Sequence, residues 1–205
     1  MSLLARPLSP LVLGAALVLA AIGTETVSTQ DTPLEPKKPA EIDLSSGPRA
    51  VVKSIANAIR SGDHALARRL ADGYRAKNPD GLDEVMSVFK PPKIDGLRWE
   101  APKPTDYIEV LIRDTARDGP RVGELIYYEQ IAPTIDAVGL VAQAYTPSKE
   151  MDGKTRKGWV QANQQLLDGA RALAKAAKAK NAADVKAAAI QINTACNACH
   201  VEHRN

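Results

Sequence analysis

Apolar residues recur along most of this chain at intervals of three and four, the spacing of a helix with one buried face. Val51, Val52, Ile55 and Ile59 mark such a face after Pro48, and Ser61-Gly62-Asp63 interrupts it. Asp63 is placed to cap a second helix carrying Leu66, Leu70 and Tyr74 on its inner side. Asn78-Pro79 reads as cap and first position of a third, with Leu82, Val85, Met86 and Phe89 following until Pro91-Pro92. Residues 90–104 are loop, with Gly96 and an embedded Trp99. A helix over 105–118 follows through Ile108, Leu111 and Ile112, and after Asp118-Gly119-Pro120 another runs to about Tyr145. Its core candidates are Leu125, Ile126, Ile135, Val138 and Val141; Pro133 is expected to kink or split it. Only one of Tyr127 and Tyr128 can face inward.

The last third carries the clearest pattern. Trp159, Leu166, Ala170 and Leu173 form the inner stripe of a long helix, and residues 178–181 make a tight reversal. Asn181 with Asp184 resembles a capping pair, and Val185, Ala188, Ile192 and Ala195 carry the stripe into Cys196. Two antiparallel helices joined this way form an αα-hairpin. Its alanine-rich faces either permit close approach or leave room for a flat cofactor. No segment alternates convincingly as a strand, so the fold is expected to be all-α.

Composition agrees, with aromatics at only 4% of the residues. A formal net charge of +3, with both signs interspersed and no basic run among aromatics, argues against nucleic acid as a partner. Arg6 followed by the apolar residues 8–22 reads as an export signal over residues 1–23, with Ala21 and Gly23 at the cleavage positions. An uncleaved anchor, tethering the chain to a membrane, is the alternative. Residues 24–46, with Pro33, Pro36 and Pro39 among polar residues, form a linker. A helical segment over 47–92 and a C-terminal helical domain over 93–205 complete the organisation, the first helping to complete the second's bundle.

Both cysteines stand in one motif, Cys196-Asn197-Ala198-Cys199-His200. Exported proteins that use disulfides as staples usually close long loops, whereas these cysteines enclose two residues. The motif is the attachment signature of a c-type haem. On a helix the three side chains share one face, so two thiols reach the porphyrin vinyl groups while the imidazole reaches iron. A short disulfide leaves His200 unexplained. A redox-active dithiol would sit in a βαβ context that is lacking, and a zinc site would need a further ligand from His64 or His203. One covalently bound haem c is therefore expected, in a periplasmic or equivalent oxidising space.

The stretch from Trp159 onward, with its alanine-rich helix pair, its Cys196-x-x-Cys199-His200 and the trailing Arg204, resembles the cytochrome c′ family of class II c-type cytochromes. The likeness covers roughly the last quarter to third of the chain. It implies a four-helix-bundle haem domain, here with additional N-terminal helices. It further implies thioethers at Cys196 and Cys199, His200 as proximal iron ligand and Arg204 as a haem-propionate partner. Upstream, residues 48–92 depart from the family, and the register of its distal helix is not identifiable. Its homodimeric habit is a weaker expectation for the same reason.

The sixth iron position decides function. Met86, on an apolar helix face, is either a sixth ligand or a core filler. Met151 and His64 are the other candidates, and His203 lies on the proximal side with His200. One-electron transfer to a redox partner protein is the leading expectation. Binding of a small gas, nitric oxide or carbon monoxide, is the alternative if the distal side is open. Trp159 and Trp99 either pack against haem or serve as ordinary core and loop anchors. Lysines over 175–186 either guide an acidic partner or are simply solvated. Without a general-base pair or nucleophile dyad, no enzyme is expected.

Overall fold

Seven α-helices make up the regular structure among the residues described by the computed structural model, which are 47–94, 96–97, 107–121, 123–148 and 156–203. They are α1 (Pro48–Arg60), α2 (His64–Lys77), α3 (Leu82–Met86), α4 (Ile108–Asp118), α5 (Leu125–Ala144), α6 (Arg156–Lys178) and α7 (Ala182–His203), and no strand occurs among them. The fold of this part is all-α, and it belongs to one compact unit, Glu41–Asn205. The expected signal and linker, Trp99, Met151 and Arg204 lie outside the described residues.

Local chemistry sets most helix ends. Pro48 occupies the first turn of α1, where its missing N–H has no partner to lose. Asp63 caps α2 as expected, its carboxylate accepting from the Leu66 N–H at 2.8 Å. Asn181 caps α7 twice over, accepting from the N–H groups of Ala183 (3.1 Å) and Asp184 (3.2 Å), while its amide donates to the Asp184 carboxylate. Asn78 corrects the expectation for α3. It ends α2 instead, its side-chain amide donating to the Tyr74 carbonyl at 3.0 Å, and α3 begins only at Leu82. An asparagine amide can serve a helix end as well as a helix start.

Pro133 does not split α5, which is continuous over Leu125–Ala144. Proline removes one donor from the helical ladder, but a buried helix clasped on all sides can absorb that loss. The nearby Gln130 carbonyl accepts from the Arg60 guanidinium at 2.9 Å, a link from α1 to the same turn. Ile126 is a second correction. It is 58% exposed, whereas Tyr128 takes the inner position in that turn and shares a 2.5 Å hydrogen bond with the Thr115 hydroxyl of α4.

The core divides along α5. Its first half, with Tyr128, Ile131, Ala132 and Ile135, joins α4, α6 and α7 in one buried cluster. Its second half, with Ala137, Val138, Leu140 and Val141, joins α1, α2 and the α3 segment in another. Every residue from Ile131 to Ala142 is buried as a result. Phe89 touches both clusters. At the seam sits Asp136, 4% exposed, with one carboxylate oxygen 3.6 Å from Arg171 and the other without a hydrogen-bond partner. Burial raises its pKa against the pull of Arg171.

Candidate functional site

Helix α7 is held against α6 at close range. A methyl group on Gly169 would come within 2.8 Å of Ile192 Cγ1 and 3.3 Å of its backbone nitrogen, so only glycine allows this approach. The buried residues of α7, Val185, Ala188, Ala189, Ile192 and Ala195, define its inward stripe. At about 100° per residue that stripe continues through Cys196, Cys199 and His203. His200 falls at its edge and is exposed. The alanines at 176, 177, 188 and 189 lie near the α6–α7 turn, away from the motif. They serve close helix approach.

Helix α4 runs antiparallel to α7. Gly119, just past its end, faces the aliphatic part of Lys186, and Glu109, in its first turn, acts electrostatically on Cys196. Cys199, His200 and His203 therefore lie on turns of α7 beyond the level at which α4 begins. The inner residues of α4 are Ile108, Leu111, Ile112 and Thr115. Cys196 itself is half-buried against the cluster shared by α4–α7.

Helix α6 lines the site from the other side. The Trp159 indole N–H donates to the Ala142 carbonyl in the last turn of α5 at 3.1 Å, and its ring meets His203 edge-on with centroids 5.1 Å apart. The buried Asn163 amide donates to the Trp159 carbonyl at 3.1 Å. Glu202 lies directly over Gly158, where a methyl group would come within 2.2 Å of its carboxylate. The His203 side chain is only 6% exposed, and its Nε2 has no hydrogen-bond partner. The nearest carboxylate oxygen, on Glu202, stands 3.8 Å away.

Both cysteines are free thiols. Burial first, then Cys199 and Glu109, push the Cys196 thiol up to about 11. Burial and Glu202 raise that of Cys199 as well. A redox-active dithiol depends on a lowered thiol pKa, and these shifts run the other way. Among the described residues no three His, Cys, Asp or Glu side chains converge into a metal-holding group.

The motif residues Cys196, Cys199 and His200 thus share the last turns of one helix. Met86 is not brought to them by its helix. It is half-buried on α3 against the other cluster, among residues of α1, α2 and the second half of α5. His64 is exposed at the first position of α2. Sequence reasoning missed the burial of His203, whose neighbours Glu202 and Arg204 suggest a surface. Its spacing of seven from Cys196, two helical turns, is the signal that could have found it. Asp136 was missed too, although a carboxylate between Ile135 and Ala137-Val138 already marks a buried charge. Comparison with family models, with curated proteins and with solved structures finds no match.

Proposed function

We propose that this chain carries one haem c, attached through Cys196 and Cys199 with His200 as the iron ligand, and that it acts in one-electron transfer in the periplasm. The observation that carries the reading is the placement of two free, neutral thiols one turn apart on the inward stripe of α7. Such thiols argue against redox cycling. An imidazole at the edge of the stripe and an unpartnered buried nitrogen one turn farther on complete a donor set spread along a helix. That spread fits a wide, flat macrocycle; a compact ion would need donors meeting at a point.

When bound, the haem supplies a one-electron iron couple. The chain's own part is to hold it and limit its surroundings. In this reading α4–α7 form a four-helix bundle of the cytochrome c′ kind, with α1–α3 as an added helical layer. Cys196 and Cys199 anchor the group to α7, and Ile108, Leu111 and Ile112 supply an apolar wall on the facing helix. The lysines near the α6–α7 turn stand roughly 15–25 Å along the helix axis from Cys196. They are better read as solvated charge than as the docking surface of a redox partner.

A second reading, reversible binding of nitric oxide or carbon monoxide, is favoured by one observation. The inner positions of α4 nearest Cys196 offer no sulfur or nitrogen ligand, and Met86 packs in the other cluster. The test for both is the absorption spectrum of the protein expressed with haem-maturation machinery, oxidised and reduced, with and without carbon monoxide. A low-spin reduced spectrum unmoved by carbon monoxide supports electron transfer with a sixth ligand. A high-spin spectrum that shifts on carbon monoxide moves gas binding ahead. Absence of covalent haem sinks both.

A further inference from the structure

A buried hydrogen-bonding group without a partner costs roughly 1–3 kcal/mol, and native structures contain few of them. Among the described residues two such side-chain atoms occur, Asp136 Oδ1 and His203 Nε2. Asp136 lies at the seam of the two clusters with Arg171 beside it. His203 lies two turns past Cys196 and one past Cys199, on the same inward face of α7. Its ring is set by the edge-on contact with Trp159, which is itself fixed by the bond to Ala142. An imidazole so constrained has a fixed nitrogen to offer, and the Glu202 carboxylate stops short of it at 3.8 Å.

We propose that His203 is a positioning residue of this site, its Nε2–H donating a hydrogen bond to a propionate carboxylate of the attached haem. This rests on the haem reading above and deepens it. A haem fixed at Cys196 and Cys199 carries two carboxylates at the edge opposite its vinyl groups, and these are acceptors of the kind the buried donor lacks. The Trp159–Ala142 bond links that donor's support to the end of α5, so three helices hold the nitrogen in place.

Two variants of the holoprotein separate the hydrogen bond from packing. His203→Phe keeps an aromatic ring against Trp159 and removes the nitrogen. His203→Gln keeps an N–H donor of similar reach. Covalent haem content, thermal unfolding and the midpoint potential are measured for each. A donor to a carboxylate disperses negative charge near the iron, so its loss favours the ferric form and lowers the potential.

The expected result is a ferric-to-ferrous ratio about three- to tenfold higher in His203→Phe at fixed applied potential, about 30–60 mV at 59 mV per tenfold for one electron. His203→Gln should stay near the parent. Equal potentials in all three proteins overturn the proposal, as does an equal shift in both variants that tracks lost thermal stability. A parent protein without covalent haem overturns the underlying reading as well, so the two failures are distinguishable.

Discussion

The two clusters that share α5 are built differently. The one formed with α1, α2 and the α3 segment is closed by ordinary means. Val51, Val52, Ile55, Val85 and Val88 fill it with branched side chains, and all five are fully buried. Its polar groups find partners: the Tyr74 hydroxyl donates to the Gly81 carbonyl, and Tyr145 donates to the Asn78 carbonyl. The one shared by α4–α7 is packed by alanines near the α6–α7 turn and changes character toward the other end. Cys196 packs against that end, and beyond it on α7 lie the second free thiol, Cys199, and the His203 imidazole against Trp159. The orphaned Asp136 oxygen lies at the seam between the two clusters. In the haem reading proposed above, the unpartnered His203 nitrogen beside the motif is where the bound group would be met.

That contrast can be broken by experiment. The largest effect belongs to Cys196→Ala with Cys199→Ala, which should abolish covalent attachment completely. Intact-mass measurement after expression with maturation machinery should return the bare polypeptide. Next in size, Ile55→Ala in the other cluster should cost about 2–5 kcal/mol in denaturant unfolding while leaving the haem spectrum unchanged. A spectral change in that variant would show that the clusters are coupled through α5.

A pH series sharpens the same comparison. In the unattached chain the Cys196 thiol ionises near its ordinary value when unfolded but only at about 11 when folded. The unfolded chain releases that proton first, so folding stability should fall as pH rises from about 9 toward 11, by roughly 2–3 kcal/mol for the full shift. Below the lower value both states keep the proton and no pH dependence arises from this group. A thioether cannot titrate, so the attached protein should lack this loss. Identical alkaline unfolding with and without haem would contradict the assignment of Cys196. The smallest effect is Asp63→Ala, which removes the cap of α2 and should cost about 1 kcal/mol without touching attachment.

Periodicity made the helices legible because a helix's buried face is a local property. The inner stripes of α1, α2, α6 and α7 appear in the order of residues alone, as do the Asp63 and Asn181 caps. Where two elements competed for one residue, local reading failed. Asn78 could end α2 or begin α3, and only the Tyr74 carbonyl decided the matter. Ile126 and Tyr128 competed for the inside of α5, and the larger side chain won because Thr115 could satisfy its hydroxyl. Pro133 left a continuous helix because α5 is enclosed by both clusters, and a proline's own local preference takes no account of that enclosure.

The candidate site divides along the same line. The sequence by itself determined the spacing of Cys196, Cys199 and His200, and helical geometry then put them on neighbouring positions of one face. Spacing within a helix needs no knowledge of its neighbours. Only the tertiary structure decided what those side chains meet. It turned the thiols inward, faced Cys196 with the start of α4, set Met86 in a different cluster and buried His203 against Trp159. These are contacts between residues tens of positions apart, and they depend on which helices pack together, a choice made by the summed burial of whole faces rather than by any one motif.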